Sequence, residues 1–147
     1  MTPQPKDLML GDWLAAKVQT DDTGKEPVYE TLYKRVTGLD KGFIELEDYA
    51  HAGAEISAIG LTPQMLLKNG FVLRDGCTSA WDLHLPSGYS VYMSGTGGWI
   101  PMSICIYKPS SYGNGFARML DECTVAWVHK LQHILHEYIP DEIDFKI

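Results

Sequence analysis

The chain has few cysteines, and none of its apolar runs is long. Its three cysteines (Cys77, Cys105 and Cys123) include no CxxC pair, so the sequence predicts neither a disulfide framework nor a thiolate zinc site. The apolar runs extend over only a few residues, whereas a helix needs roughly 20 to span a bilayer. We therefore expect no membrane partner.

A recognisable export signal is also missing, because residues 1–7 are polar and lack the basic and apolar regions of a secretory leader. Unpaired, scattered thiols in such a chain are typical of a reducing compartment. The sequence therefore predicts a cytoplasmic protein.

Basic charge is scarce, since 12 basic residues oppose 19 acidic ones and give a net charge of −7. This balance leaves no electrostatic footprint for DNA or RNA and disfavours nucleic acid as a partner. A local patch of Lys34, Arg35 and Lys41 keeps nucleic-acid binding open as an alternative. Otherwise the composition, 45% apolar and 21% charged, is that of an ordinary globular protein.

Four short segments in the first 60 residues are rich in apolar, β-branched or aromatic residues and are separated by turn formers. The predicted strands are 8–17, 28–37, 43–47 and 54–59, with a kink at Gly11 in the first. The middle two are expected to form a hairpin. Short strands without a long helix predict a small β-barrel-like sheet for this lobe.

A short helix is predicted over 63–69 from its capping residues. Thr62 is suited to accept a backbone N–H at the N-cap, and Pro63 fits the first helical position. Gly70 supplies the left-handed C-terminal cap, and Phe71 the accompanying apolar contact.

The remainder of the chain predicts an antiparallel sheet covered by one helix. Strands are expected at 80–85, 89–93 and 99–107, a helix over 125–138 and a closing edge strand at 144–147, whereas 116–124 fits strand or helix. The predicted fold class is α+β, with a β-rich lobe at 1–60 and an α+β lobe at 61–147, either separate or parts of one compact domain.

Three motifs occur in order along the chain: Gly-Asp-Trp at 11–13, Leu-Thr-Pro-x-x-Leu-x-Lys-Asn-Gly-Phe at 61–71, and Val-His-x-Leu-Gln at 128–132. In this the chain resembles short uncharacterised proteins from the prophages and mobile elements of gut Bacteroidetes. Gly60 stands where that group usually has proline, and 133–135 departs from its apolar-aromatic stretch. The resemblance implies a lineage and a genetic context, without a reaction or catalytic residues.

The sharpest candidate for chemistry is a stripe of three histidines, His129, His133 and His136, on the last predicted helix. Their spacing of i, i+4 and i+7 places the three imidazoles on one side, and paired histidines four apart are a known way to hold a divalent metal such as zinc. Glu137 is a further candidate, either as a metal ligand or as a group that orients a ligand through a hydrogen bond. The alternative is that the histidines mark the boundary between the buried and solvated faces.

Other patterns carry less chemistry. Residues 94–98 are glycine-rich, but a strand follows them where a phosphate loop needs a helix. The cysteines lie in no nucleophile signature, and Glu45 and Glu47 fit an exposed strand face. Tyr92 and Ser90 lie opposite the apolar face of their strand, and Trp99 and Tyr112 border glycine-rich loops, so an aromatic patch for recognition is a further candidate.

From sequence, the favoured function is a non-enzymatic accessory or interaction protein of a phage or mobile element. It is expected to act through a protein partner or self-association, without a cofactor. The alternative is a metal-binding protein or metal-dependent enzyme built on the histidine stripe.

Overall fold

Two compact units, Met1–Gly60 and Leu61–Ile147, make up the chain in the computed structural model. The structure describes residues 2–3, 5–21, 26–40, 43–48, 55–96, 98–110 and 116–147. In the described residues each unit contains one antiparallel sheet; a short 3-10 helix (Pro5–Asp7) belongs to the first unit and both α-helices belong to the second. The predicted α+β class is confirmed. No helix in these described ranges is long and apolar enough to cross a membrane.

The first unit is a four-stranded sheet in the order β3-β2-β1-β4. Its strands are β1 (Trp13–Asp21), β2 (Val28–Asp40), β3 (Phe43–Leu46) and β4 (Glu55–Ala58). The β2–β3 hairpin is confirmed. The sheet does not close into a barrel in the described residues, because β3 and β4 lie at opposite edges.

One side of this sheet carries the core of the unit. Four of the buried core residues lie on the strands, and Leu8 comes from the segment before β1. The core residues are Leu8, Leu14, Ala16, Val36 and Leu46. The first strand begins five residues later than predicted, because Gly11 adopts a left-handed φ of 88° and turns the chain. Strand β1 then continues through Asp21, into the segment expected to be a loop.

The second unit begins with α1 (Pro63–Lys68), and the predicted capping is confirmed. The Thr62 hydroxyl accepts from the Met65 N–H at 3.2 Å. Gly70 has a φ of 83°, which returns the chain so that Phe71 is buried. Leu66 is the fully buried residue of the helix, whereas Leu67 is exposed.

A five-stranded sheet follows, in the order β5-β6-β7-β8-β9. Its strands are β5 (Val72–Leu73), β6 (Ala80–His84), β7 (Ser90–Thr96), β8 (Gly98–Pro109) and β9 (Phe116–Val125). The ambiguous segment 116–124 is thus a strand, and β5 was not predicted. Buried side chains line one face of the sheet, among them Val91, Met93, Met102, Ile104 and Ile106.

The last helix, α2 (Val128–Tyr138), packs against β9 and buries Val128, His129, Leu131 and Leu135. It begins three residues later than predicted, because Val125 is the last residue of β9. The predicted edge strand at 144–147 is not a strand. Instead, Phe145 is buried and the main chain of Lys146 is bonded to the Asn69 side chain.

Candidate functional site

The face of the five-stranded sheet opposite its buried side is polar and aromatic. Because side chains alternate along a strand, residues paired across strands share a face. The register of β6, β7 and β8 aligns Asp82, Tyr92 and Cys105 in one row, and His84, Ser90 and Tyr107 in the adjacent row. We call this surface the polar face.

Arg74, which directly follows β5, reaches onto the polar face. Its Nε donates to one carboxylate oxygen of Asp82 at 2.9 Å, and its Nη2 donates to the other at 2.8 Å. The guanidinium carbon lies 4.5 Å from the ring centroid of Tyr92. The hydrogen bonds to Asp82 raise the pKa of Arg74, whose guanidinium is charged at neutral pH with or without them. This bidentate pair and the stacking on Tyr92 fix the planar cation in one orientation.

His84 and Ser90 form a second polar pair in the neighbouring row, with Nδ1 and Oγ 3.1 Å apart. These two residues face each other across β6 and β7. Tyr107 follows them on β8, so an aromatic ring completes the row.

Together these side chains line an open groove of about 450 Å³, which we call the sheet groove. Its lining residues are Arg74, Asp82, His84, Ser90, Tyr92 and Tyr107. A second cavity of about 360 Å³ adjoins it at the edge of the sheet and adds Val72, Leu73 and Asp75 to the lining. Val72 is 64% exposed, so an apolar rim stands beside the charged groups.

The groove contains a serine and a histidine in hydrogen-bond contact, but among the described residues no carboxylate joins them as the third member of a catalytic triad. A triad needs a carboxylate that orients the histidine through its second ring nitrogen. Both carboxylate oxygens of Asp82 are bound by Arg74, and His84 has no ion pair in the described part of the chain. The arrangement offers oriented hydrogen-bonding groups and aromatic surface, and both can contribute to binding.

The three histidines of the predicted metal stripe lie in different environments. His129 is fully buried in the first turn of α2, His133 is half-buried and His136 is exposed. The rings of His129 and His133 meet edge to face, with centroids 6.1 Å apart. In the described residues, no group of three or more His, Cys, Asp or Glu side chains is placed to hold a metal ion. The three-histidine centre remains a prediction.

The other predicted sites are dispersed. Lys34 and Arg35 are neighbours in β2 and so point to opposite faces of their sheet, where Lys34 pairs with Asp48 at 3.7 Å. Lys41 and Tyr112, and the side chain of Trp99, lie outside the described residues. Much of the glycine-rich segment 94–98 belongs to β7 and β8, with residue 97 outside the description.

The motifs that carry the resemblance shape the fold in both units. In the first motif, Asp12 is buried, and its Oδ2 accepts from the Met9 N–H at 2.7 Å. The second supplies both caps of α1. In the third, the side chains of Val128, His129 and Leu131 are fully buried. None of these contacts lies in the sheet groove.

Sequence reasoning anticipated part of the groove. Alternation along the strand predicts Tyr92 and Ser90 on the face opposite Val91 and Met93, and the register confirms this. Asp82 and His84 were missed, although they alternate with buried Trp81 and Leu83 along β6 and the same signal was available. Arg74 lies outside the strands, so alternation along a strand could not predict its position on the polar face.

No protein-family model, curated protein or solved structure matches the chain.

Proposed function

We propose that the chain is a non-enzymatic interaction protein of a phage or mobile element, and that the sheet groove binds a segment of a partner protein. The observation that carries this proposal is the groove itself, where two tyrosines and an oriented arginine line one concave surface of about 450 Å³. Tyrosine and arginine are residue types that supply much of the binding energy at protein interfaces. The mobile-element context is supported by the three motifs alone.

The fixed geometry of Arg74 also favours binding. Because Asp82 and Tyr92 already hold the guanidinium, little side-chain freedom remains to be lost when a partner docks. The exposed apolar side chains of Val72 and Leu73 extend the surface at the edge of the sheet. A partner segment would therefore cover apolar area while it forms hydrogen bonds in the groove.

Selection from a displayed peptide library on the full chain tests the proposal. We expect enriched peptides whose Kd, measured by calorimetry, rises about 30-fold or more in Arg74→Ala and His84→Ala, the range of an interface hot spot. Leu10→Ala is the matched control, because this exposed residue belongs to the first unit. A concentration-dependent dimer that Arg74→Ala abolishes would identify the partner as a second copy of the chain.

Two results would contradict the proposal. Enriched peptides that bind both groove variants as tightly as the unaltered chain would place recognition elsewhere. Covalent labelling of Ser90 by a fluorophosphonate, lost in His84→Ala, would show an activated serine and overturn the non-enzymatic part.

A further inference from the structure

The first unit presents a second surface, on the side of its sheet opposite the core. The register of β1 with β2 stacks four cross-strand pairs along this side: Trp13 with Arg35, Ala15 with Tyr33, Lys17 with Thr31, and Gln19 with Tyr29. We call it the aromatic face. Three aromatic and two basic side chains lie on it, whereas core residues such as Leu14 and Ala16 lie on the other side.

Tyr33 occupies the middle of this pattern and is 51% exposed. The row of Arg35 lies on one side of it and the row of Lys17 on the other. Each row is about 7 Å away, which is two residues of rise along a strand. A half-exposed ring is thus bracketed by two cations on one sheet surface.

Both cations are held against rings. The guanidinium carbon of Arg35 lies 4.7 Å from the ring centroid of Trp13, and Lys17 Nζ lies 4.8 Å from that of Tyr29. Lys17 also pairs with Glu55 at 3.8 Å, but this pair is exposed, and such pairs contribute little. Positive charge therefore has a fixed position at each side of Tyr33.

We propose that the aromatic face binds single-stranded nucleic acid, with a base stacked on Tyr33 and phosphates beside Lys17 and Arg35. Proteins that bind single strands without strong sequence preference combine aromatic stacking platforms with cations along the backbone path. Both parts occur here on one sheet surface, with Tyr33 in the row between those of Lys17 and Arg35. The inference is independent of the sheet groove, which belongs to the other unit.

The net negative charge of the first unit limits the range over which this face can attract a nucleic acid. Residues 1–60 contain six basic and eleven acidic residues, a net charge of −5, so the unit as a whole repels a polyanion at long range. Binding must then depend on short-range stacking and on two phosphate contacts. For two phosphates on a single strand, log K is expected to fall with log salt with a slope of about −1.4.

Fluorescence anisotropy of the full, tag-free chain with a labelled oligothymidylate of about 12 nucleotides tests the inference, a length within the roughly 4–16 nucleotides that a single-strand-binding OB fold covers. We expect Tyr33→Ala to raise Kd about tenfold, whereas Tyr33→Phe keeps the ring and the affinity. Lys17→Ala and Arg35→Ala should each make the salt slope shallower by about 0.7. Lys34→Ala is the matched control, since Lys34 neighbours Arg35 but lies on the other face.

The inference is wrong if anisotropy does not change at low salt, or if folded Tyr33→Ala, checked by circular dichroism, binds as tightly as the unaltered chain. Equal affinity for a duplex of the same length would also overturn it, because paired bases cannot stack on Tyr33. Polyglutamate of the same total charge is the competitor. If it displaces the oligonucleotide and binds Tyr33→Ala as tightly as the unaltered chain, the face binds acidic polypeptides instead.

Discussion

The side-chain amide of Asn69 pairs with the main chain of Lys146 in both directions. Its Nδ2 donates to the Lys146 carbonyl at 2.6 Å, and its Oδ1 accepts from the Lys146 N–H at 2.7 Å. The same Nδ2 donates to the Met65 carbonyl at 2.7 Å, at the end of α1. One side chain therefore closes a helix and fastens the C-terminal tail to it, with Phe145 buried beside this attachment.

Replacing Asn69 by alanine should lower the free energy of unfolding by about 1–3 kcal/mol, because several hydrogen bonds of roughly 0.5–1.5 kcal/mol each are lost together. Urea denaturation followed by circular dichroism measures the change. Lys146→Ala is the control and should cost less than about 0.5 kcal/mol, since the contact uses only the main chain of Lys146. Equal losses in the two variants would refute this account of the tail.

The N-cap of α1 gives a second prediction. Thr62→Ala should cost about 1 kcal/mol of stability, because the Met65 N–H loses its acceptor. Thr62→Ser keeps a hydroxyl at the same position and should retain most of the stability. Thermal unfolding of both variants checks this, and a serine variant as unstable as the alanine one would show that the methyl group matters more than the cap.

Helix α1 was predictable because its signals are local. Thr62, Pro63 and Gly70 each act within one turn of their own position, and no distant part of the chain is needed to place them. The residue at which α2 begins could not be predicted from such local signals. Val125 suits either the apolar face of a helix or a buried strand, and its pairing with Met102 in the sheet decides between them.

The first unit shows the same limit. An open sheet and a barrel both require alternating apolar residues. The pattern over residues 8–59 therefore predicts strands but does not show whether the sheet closes. Pairing places β3 and β4 at opposite edges. Alternation along β2 already places Lys34 and Arg35 on opposite faces of the sheet. The contact of Lys17 with Tyr29, in contrast, depends on the register of β1 with β2.

Alternation along a strand predicts the face of Ser90 and Tyr92, two of the six groove residues, whereas the position of Arg74 needed tertiary structure. Ser90 and Tyr92 were assigned to the correct face from their own strand. Arg74 enters the site through its bond to Asp82, eight residues later, across a turn and the β5–β6 pairing. No spacing rule in a single sequence predicts that contact.

The histidine stripe gives a third prediction, about metal. Because His129 and His133 meet while His136 is exposed, we expect tag-free protein to hold far less than one zinc per chain after dialysis. His136→Ala should leave that zinc content unchanged, whereas a three-histidine centre needs all three ligands. Elemental analysis of the unaltered chain, His133→Ala and His136→Ala measures this. Stoichiometric zinc that both variants lose would establish the centre predicted from sequence.

The Cys123 thiol makes stability depend on pH in the alkaline range. Burial raises the pKa of Cys123 above its ordinary value of 9.0, and the charge of nearby Cys105 adds to the effect. The folded chain therefore holds this proton more tightly than the unfolded chain. The resulting stability is fully present below the unfolded-state pKa and is lost as the pH rises through the folded-state pKa.

Comparison of the unaltered chain with Cys123→Ser isolates this contribution, because every other titrating group is common to both. We expect the difference in free energy of unfolding between the two chains to be constant below about pH 8, where the thiol is protonated. Above the ordinary thiol pKa the unaltered chain should lose stability relative to Cys123→Ser. Alkylation of Cys123 by iodoacetamide should likewise keep accelerating above pH 9.0. A rate that levels off below that pH would mean that the thiolate is stabilised in the folded chain, and the sign of the stability change would then reverse.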